Sequence, residues 1–249
     1  MLGYQLLQIP SGDAELRSVA AIGYDGRAAG LVYDSTVPLV PQPWAWVPGA
    51  RWQQLEVLDP GTIVHLGGFD GEGSLWGEEM DPATGEATLL KWVEDHGFWS
   101  APLPVLDGDH FRKGAEVTPV SVNRRGDVLI RHDTLHGYSV RHSDGTLSTL
   151  SGGIGYQLAP DGGVWGLTDE GQPAHWRKGA STPDVLGVPP GVDHPSLASL
   201  HFVGASEDGH VVVEHIGVDG APEQRTCSGS GWTASSAPRP ERSPPGTCW

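Results

Sequence analysis

The sequence has few cationic residues, few cysteines and no long apolar run. Lys and Arg number 15 against 31 Asp and Glu, which gives a formal net charge of -16 at pH 7. Because such a surface repels phosphate backbones and anionic lipids, we exclude nucleic acid and membranes as partners. No apolar run approaches the length of a bilayer span, and the first residues lack the basic segment of a signal peptide. We therefore expect a soluble, cytoplasmic protein.

Only two cysteines are present, and the second lies in a tail rich in proline and serine. Cys227 and Cys248 either form a disulfide or remain free thiols, as is usual in a reducing cytosol, and the sequence leaves both alternatives open. We assign residues 233–249 to a C-terminal tail, in which the segment Ser235–Pro245 cannot form regular structure. We assign residues 1–232 to a single domain.

Glycine and proline are abundant and divide the chain into short apolar segments. The chain contains 36 Gly and 21 Pro, with stretches rich in valine, leucine and tryptophan between them. This composition predicts many short strands joined by tight turns and excludes long helices. All-β domains of 249 residues with one core are common.

A turn glycine followed by a short strand recurs five times. The five positions are Gly26, Gly73, Gly126, Gly162 and Gly209, at intervals of 47, 53, 36 and 47 residues (73-26, 126-73, 162-126, 209-162). These intervals match the length of one four-stranded propeller blade. An aromatic residue three positions before a second glycine follows in three repeats, and a looser equivalent follows in two: Trp46, His142 and Trp176, then Trp92 and Cys227. The repeat predicts an all-β fold, a five-bladed β-propeller.

The fifth repeat lacks a convincing outer strand. The N-terminal segment Tyr4–Ile9 resembles Trp52–Val57, which reads as the outer strand of the first repeat. We therefore predict that the N-terminal strand completes the last blade and closes the ring, which leaves no open sheet edge.

The repeat resembles that of a known group of proteins. In the fourth repeat the strand reads Gly162-Gly-Val-Trp-Gly166. The sequence resembles proteins with extracellular-type repeats, in which a Gly-x-Val-x-Gly strand precedes an Ala-x-x-Trp strand. The resemblance implies a β-propeller and no specific enzyme family, since propellers host hydrolases, lyases, cyclases, lectins and scaffolds.

Equivalent positions on the inner strands of a propeller form rings around its axis. The ring eight residues before the turn glycine contains Ser18, His65, Thr118, Ile154 and His201. Four of these five side chains are polar, so we predict a polar axial pocket. The catalytic candidates at or beside this ring are His65, His201, Glu116 and Tyr156. The alternative is a polar channel that holds only water.

Long loops are predicted on the face that carries this pocket. They are residues 34–42, 78–86, 106–116, 131–137 and 187–199. The charged loop before Glu116 is expected to cap the pocket, with plain solvated charge as the alternative. The substrate-binding candidates are Ser18, Thr118, Ser199, His110 and Arg112.

No motif indicates a nucleotide or redox cofactor, so we expect none. Metal binding stays open, because His132, Asp133 and His136 offer zinc ligands in one segment, although a surface loop is the simpler interpretation. The segment that begins at Asp107 lacks two ligands of a calcium loop.

The leading functional hypothesis is a propeller that binds a small organic molecule and promotes a non-redox reaction, such as cyclisation, elimination or hydrolysis. The alternative is a glycan- or peptide-binding module without catalysis, with aromatic platforms drawn from Trp44, Trp92, Trp99 and Trp232. A scaffold that binds a protein on its acidic rim is a third possibility. Histidines fall on only some repeats, which favours one axial site over repeated sites.

Overall fold

The described part of the chain consists of strands and turns. A computed structural model describes residues 15–33, 41–107, 117–132, 137–189, 192, 196, 199–206, 209–216, 222–228 and 231–234. For residues 15–18, 33, 106–107, 216, 222–228 and 231–234 only the backbone is considered. Within these ranges no helix is present, and so none that could cross a membrane.

The strands form five antiparallel four-stranded sheets, numbered one to five in chain order. Sheet one contains β1 (Glu15–Ile22), β2 (Ala28–Tyr33), β3 (Gln42–Trp46) and β4 (Gln53–Gln54). Sheet two contains β5 (Ile63–Phe69), β6 (Leu75–Met80), β7 (Ala87–Trp92) and β10 (Leu103–Asp107), with a hairpin of β8 (Glu94–Asp95) and β9 (Phe98–Trp99) before its outer strand. Sheet three contains β11 (Thr118–Val122), β12 (Val128–Arg131), β13 (Tyr138–Arg141) and β14 (Leu147–Leu150). Sheet four contains β15 (Gly153–Leu158), β16 (Val164–Thr168), β17 (Pro173–Trp176) and β18 (Asp184–Val185), and sheet five contains β19 (Leu200–Ala205), β20 (His210–Ile216), β21 (Pro222–Ser228) and β22 (Gly231–Ala234).

Neighbouring sheets meet at their inner strands. β1 lies against β5, β5 against β11, β11 against β15 and β15 against β19. Across the described ranges no strand pairing joins one sheet to another. The order of contacts therefore follows the order of the sheets in the chain.

The outer strand of sheet five comes from its own repeat. β22 pairs with β21, with Ser228 opposite Gly231. The prediction that the fifth repeat lacks an outer strand is therefore wrong. Residues 4–9, predicted to supply that strand, lie outside the described residues.

The five predicted turn glycines are confirmed as the residues that join each inner strand to the second strand. All have φ between +80° and +91°, the left-handed region that costs other residues about 1 kcal/mol or more. Each donates its N–H to the carbonyl three residues earlier, as Gly126 does to Asn123 at 3.0 Å. The same turn thus starts all five sheets.

Each inner strand also contains a β-bulge at the same place. The pairing shifts between the residues seven and five before the turn glycine, for example between Leu66 and Gly68 in β5 and between Gly155 and Gln157 in β15. The same shift occurs in β1, β11 and β19. Since all five strands share the bulge, positions counted from the turn glycine are structurally equivalent.

The pairing register corrects the second repeat signature. Trp46, Trp92 and Trp176 each pair with the residue two positions after a turn glycine. In sheet three that position is Arg141, opposite Val128, and His142 instead begins the following turn. The prediction of His142 as the equivalent aromatic residue is therefore wrong, because this turn is offset by one residue.

Apolar side chains fill the space between neighbouring sheets. Trp92 is fully buried with Leu55 and Phe69, and Trp176 is buried with Leu129 and Leu158. The indole N–H of Trp92 donates to the Glu56 carbonyl, so the ring has no unpaired polar atom. Because it is fully buried, the prediction of Trp92 as a ligand platform is wrong.

Asp127 fixes the first turn of sheet three. Its fully buried carboxylate accepts hydrogen bonds from the Asn123 side chain at 2.9 Å and the Ser143 N–H at 2.8 Å. Burial raises the pKa of Asp127, but these bonds and the nearby His142 and Lys178 lower the pKa by more, so it lies below its usual value.

We expect Asp127→Asn to lower the free energy of unfolding at pH 7 by about 2 kcal/mol, because hydrogen bonds to charged groups contribute this much. A carboxyl with a lowered folded-state pKa stabilises the protein above its unfolded pKa, and this stabilisation is lost as the pH falls through the folded value. The difference between the two proteins should therefore shrink below about pH 4. Urea denaturation at pH 7 and pH 3 measures it, and a difference independent of pH would contradict the assignment.

Candidate functional site

The positions predicted to form a ring on the inner strands pair with a second set of positions on the neighbouring strands. Each ring residue lies opposite the residue five positions after the turn glycine. We call these the ring pairs: Ser18–Leu31, His65–Glu78, Thr118–Arg131, Ile154–Leu167 and His201–Glu214. The five pairs have four different compositions. Two of them combine a histidine with a glutamate.

The His65–Glu78 pair is joined by a hydrogen bond. Nδ1 of His65 lies 3.2 Å from Oε2 of Glu78. The imidazole is about half exposed at 47 %, whereas the carboxylate side chain is 1 % exposed. The other carboxylate oxygen, Oε1, is buried and has no hydrogen-bond partner among the described residues. The pair therefore joins a buried acceptor to an accessible imidazole.

Glu79, the next residue of β6, is a carboxylate with a structural role. Glu79 is also buried, but it accepts the Leu58 N–H at 2.7 Å and the Thr62 hydroxyl at 3.3 Å. Burial raises its pKa and these bonds oppose the rise. Glu79 thus fastens the connection between sheets one and two. Among the described residues, no backbone N–H donates to Glu78.

An imidazole bonded through one nitrogen to a buried carboxylate is suited to acid–base chemistry. The carboxylate fixes the orientation of the ring and stabilises its protonated form. A buried carboxylate is costly unless it is paired, and the contact with His65 pairs one of the two oxygens of Glu78. The arrangement can accept and return a proton without a change in oxidation state.

His201 occupies the equivalent position in sheet five. It is exposed on β19 and lies opposite Glu214 of β20. The structure thus assigns each of the two predicted histidines a glutamate of its own sheet as its cross-strand neighbour.

Tyr156 lies at the bulge of β15 and packs against sheet five. Its ring stacks on Phe202 of β19 with centroids 5.4 Å apart and planes 8° apart. Burial raises the pKa of Tyr156 above its usual value, so the phenol is protonated at neutral pH and can donate a hydrogen bond.

The other predicted site residues differ in how far the structure describes them. Thr118 is half buried opposite Arg131, and Ser18 lies in β1 opposite Leu31. The Ser199 hydroxyl lies 2.9 Å from the Ser196 hydroxyl in a local turn. The remaining candidates lie outside the described residues: Glu116, His110 and Arg112.

Glu78 and Glu214 were not among the predicted site residues. Residues 78–86 were predicted as a long loop, which is wrong because β6 continues to Met80 and only a short turn follows. The turn glycines contain the missing signal, since counting five residues forward from Gly73 and Gly209 reaches both glutamates.

The tight turns at the other end of the inner strands converge on a small cavity. Its volume is about 40 Å³, room for a few water molecules, and its lining includes Tyr24, Pro160 and Ser206 from three different sheets. The Arg124 guanidinium lies over the Tyr24 ring at 4.1 Å. The backbone carbonyl of Arg124 accepts a hydrogen bond from the Gly71 N–H.

Within the described residues, no group of three or more His, Cys, Asp or Glu side chains is placed to hold a metal ion. The predicted zinc ligands are only partly described. His132 Nε2 lies 3.0 Å from the Ser139 hydroxyl, and Asp133 and His136 lie outside the described ranges.

No protein-family model matches this chain, and no curated protein matches its sequence. Solved structures match its fold at low identity. YCF48 bound to D1 peptide matches with a TM-score of 0.51 and 15% identity over 93% of this chain and 70% of that chain. The chain has a β-propeller fold.

Two other propellers match less closely in shape. A catalytically inactive virginiamycin B lyase from Staphylococcus aureus, with quinupristin, has a TM-score of 0.49 and 11% identity over 88% of this chain and 72% of that chain. The BP39L lectin from Burkholderia pseudomallei has a TM-score of 0.49 and 16% identity over 87% of this chain and 67% of that chain. At these identities the likeness concerns the fold alone.

We expect Phe202→Ala to lower the pKa of Tyr156 towards its ordinary value of 10.0, because the substitution exposes the phenol to water. Alkaline titration of absorbance at 295 nm measures this change. Subtracting the titration of a Tyr156→Phe variant, made in the wild-type and Phe202→Ala backgrounds, isolates the signal of Tyr156. An unchanged midpoint would show that the stack does not desolvate the phenol.

Proposed function

We propose that this protein is a closed five-bladed propeller that binds a small organic molecule at the ring pairs and promotes a non-redox acid–base reaction on it. The observation that carries the proposal is the hydrogen bond between the accessible imidazole of His65 and the buried carboxylate of Glu78. Neither group is required by the repeat, since sheets one, three and four hold different residues at the same positions.

The five-bladed arrangement is supported by the repetition within the described sheets. All five share the turn glycine, the bulge in the inner strand and the antiparallel order of strands. The inner strands already adjoin from β1 to β19. Closure brings sheet five beside sheet one and places the ring pairs around one axis.

In the proposed reaction His65 accepts a proton through Nε2, from the bound molecule in a cyclisation or elimination and from the attacking water in a hydrolysis. Glu78 stabilises the imidazolium that results. The same proton then passes to a leaving group or to a ring oxygen of the substrate. No electrons are gained or lost, so cyclisation, elimination and hydrolysis all fit. His201 beside Glu214 and the protonated phenol of Tyr156 supply further proton transfer and hydrogen bonding in this proposal.

The differences among the ring pairs favour one site over repeated sites. A glycan-binding module of the repeated kind places similar polar and aromatic groups in every blade. Here the ring pairs range from two apolar residues to a histidine with a glutamate. A single active site needs unlike groups gathered in one place, and the ring pairs provide them.

The catalytic role of His65 can be tested with a substitution that keeps its hydrogen bond. In His65→Asn the amide nitrogen takes the place of Nδ1 beside Glu78, but the nitrogen that exchanges protons is gone. We expect turnover to fall at least about 100-fold, the usual contribution of a general acid–base group. Purified protein is incubated with a metabolite mixture, and untargeted mass spectrometry detects the compounds consumed and formed.

The matched control is His96→Asn. His96 is 94 % exposed and has a φ of +51°, a conformation that asparagine tolerates. This variant should turn over substrate like the wild type. Conversion that persists in His65→Asn, or none by the wild type, would contradict the proposed reaction.

Glu78→Gln tests the positioning role of the carboxylate. The amide can still contact the imidazole but carries no charge to stabilise its protonated form. We expect kcat to fall by about tenfold or more with little change in KM, since the interaction strengthens only in the transition state. Steady-state kinetics with the substrate found above measures both constants. An increase in KM at constant kcat would assign Glu78 to binding alone.

Native mass spectrometry with sugars and peptides distinguishes the proposed enzyme from the alternative, a glycan- or peptide-binding module. One ligand per chain that is lost in His65→Asn agrees with the proposed site. Several equivalents per chain, unaffected by substitutions at the ring pairs, would replace the enzyme by a repeat-based binding module.

A further inference from the structure

A groove apart from the ring pairs lies between sheets two and three, at the end of these sheets where the tight turns lie. Its volume is about 420 Å³. Its lining includes four of the 15 cationic residues of the chain, Lys91, Arg124, Arg125 and Arg141. It includes two carboxylates, Asp70 and Glu72. In a chain of net charge -16 this is a local excess of positive charge.

One of these cations replaces a buried aromatic residue of the repeat. Arg141 occupies the third-strand position that is tryptophan in sheets one, two and four. In sheets two and four the indole is fully buried against the preceding sheet. The substitution therefore puts a guanidinium into an interface that the repeat otherwise fills with an apolar ring.

The described residues place no carboxylate beside the Arg141 guanidinium. The guanidinium lies 5.4 Å from the centre of the Trp76 ring and donates to the His142 carbonyl at 3.3 Å. Among the described residues no carboxylate oxygen lies within 4.0 Å of it. Burial lowers the pKa of the Arg141 guanidinium, and the charge of Asp144 opposes this effect. A partly desolvated cation of this kind is stabilised by an anion.

Lys91 is fixed on the same indole. Its ammonium lies 5.1 Å from the centre of the Trp76 ring and 3.1 Å from Asp70. Asp70 is held in turn by the Trp76 indole N–H at 3.0 Å and the Ser74 N–H at 2.9 Å. Trp76 is only 3% exposed, so it serves to position the two cations and not to contact a ligand.

We infer that this groove binds an oxyanion, the carboxylate, sulfate or phosphate group of a small ligand, between Arg141, Lys91 and Arg125. The planar guanidinium of Arg141 can bind two oxygens at once. Arg125, on the exposed turn beside it, is braced by a hydrogen bond to the Asp161 carbonyl. The negative charges elsewhere in the chain are screened beyond about 8 Å at physiological ionic strength, so the cations in the groove dominate locally.

Inorganic sulfate is a suitable probe, titrated at constant ionic strength against chloride. Arginine Nε–Hε resonances in NMR spectra report binding directly, and the signal of Arg141 is assigned from its loss in Arg141→Gln. We expect saturable shifts for Arg141 and Arg125 with sulfate and none with chloride. Arg141→Gln should weaken sulfate binding, read from the Arg125 resonance, about tenfold or more.

Two further variants make the test decisive. Arg177→Gln removes the same charge from an exposed arginine of sheet four, and it should bind sulfate like the wild type. Arg125→Gln changes an exposed side chain on a turn, so it tests the groove even if Arg141→Gln fails to fold. It should weaken binding at least about threefold, read from the Arg141 resonance.

The site is separate from the ring pairs, so its test is independent of the proposed reaction. His65→Asn should leave sulfate binding unchanged. Shifts that do not saturate, that chloride reproduces, or that persist equally in Arg141→Gln and Arg125→Gln would overturn the inference.

Discussion

The structure depends on a glycine in the left-handed conformation at the first turn of every sheet. Because φ lies near +80° to +90° at all five positions, the inner and second strands are joined by the same turn each time. The bulge at a fixed distance before the glycine then sets the same pairing register in all sheets. The ring pairs follow from these two features, since position along the strand determines which side chains meet.

The groups proposed to be functional lie where the repeat is least uniform. The second oxygen of the buried Glu78 has no hydrogen-bond partner among the described residues, which destabilises the fold. Arg141 is half buried at a position that is tryptophan in three other sheets, so apolar packing is lost there. Both lie in or beside sheet two, whose other neighbouring interface is packed with Trp92 and Leu55. Local departures from consistent packing are expected at functional sites, where stability is exchanged for chemistry.

The sequence was most informative where a conformation admits few residues. The turn glycines could be found because positive φ favours glycine so strongly, and they sufficed to align the inner strands. The bulge was not visible, because the bulged residues have nothing in common: Ala20, Gly67, Val120, Tyr156 and Val203. Without it the cross-strand partners of the ring could not be assigned, so Glu78 and Glu214 were missed. The predictions for Glu116, His110 and Arg112 remain predictions.

The exchange of tryptophan for Arg141 has a consequence for how such a chain can diversify. Turn glycines and inner strands set the architecture, whereas the third-strand position affects mainly the contact with one neighbouring sheet. Each interface can thus acquire its own chemistry through a single substitution while the remaining interfaces keep theirs. In a propeller built in this way the interfaces between neighbouring sheets are nearly independent of one another. A new binding specificity can therefore arise at one interface while the fold stays the same.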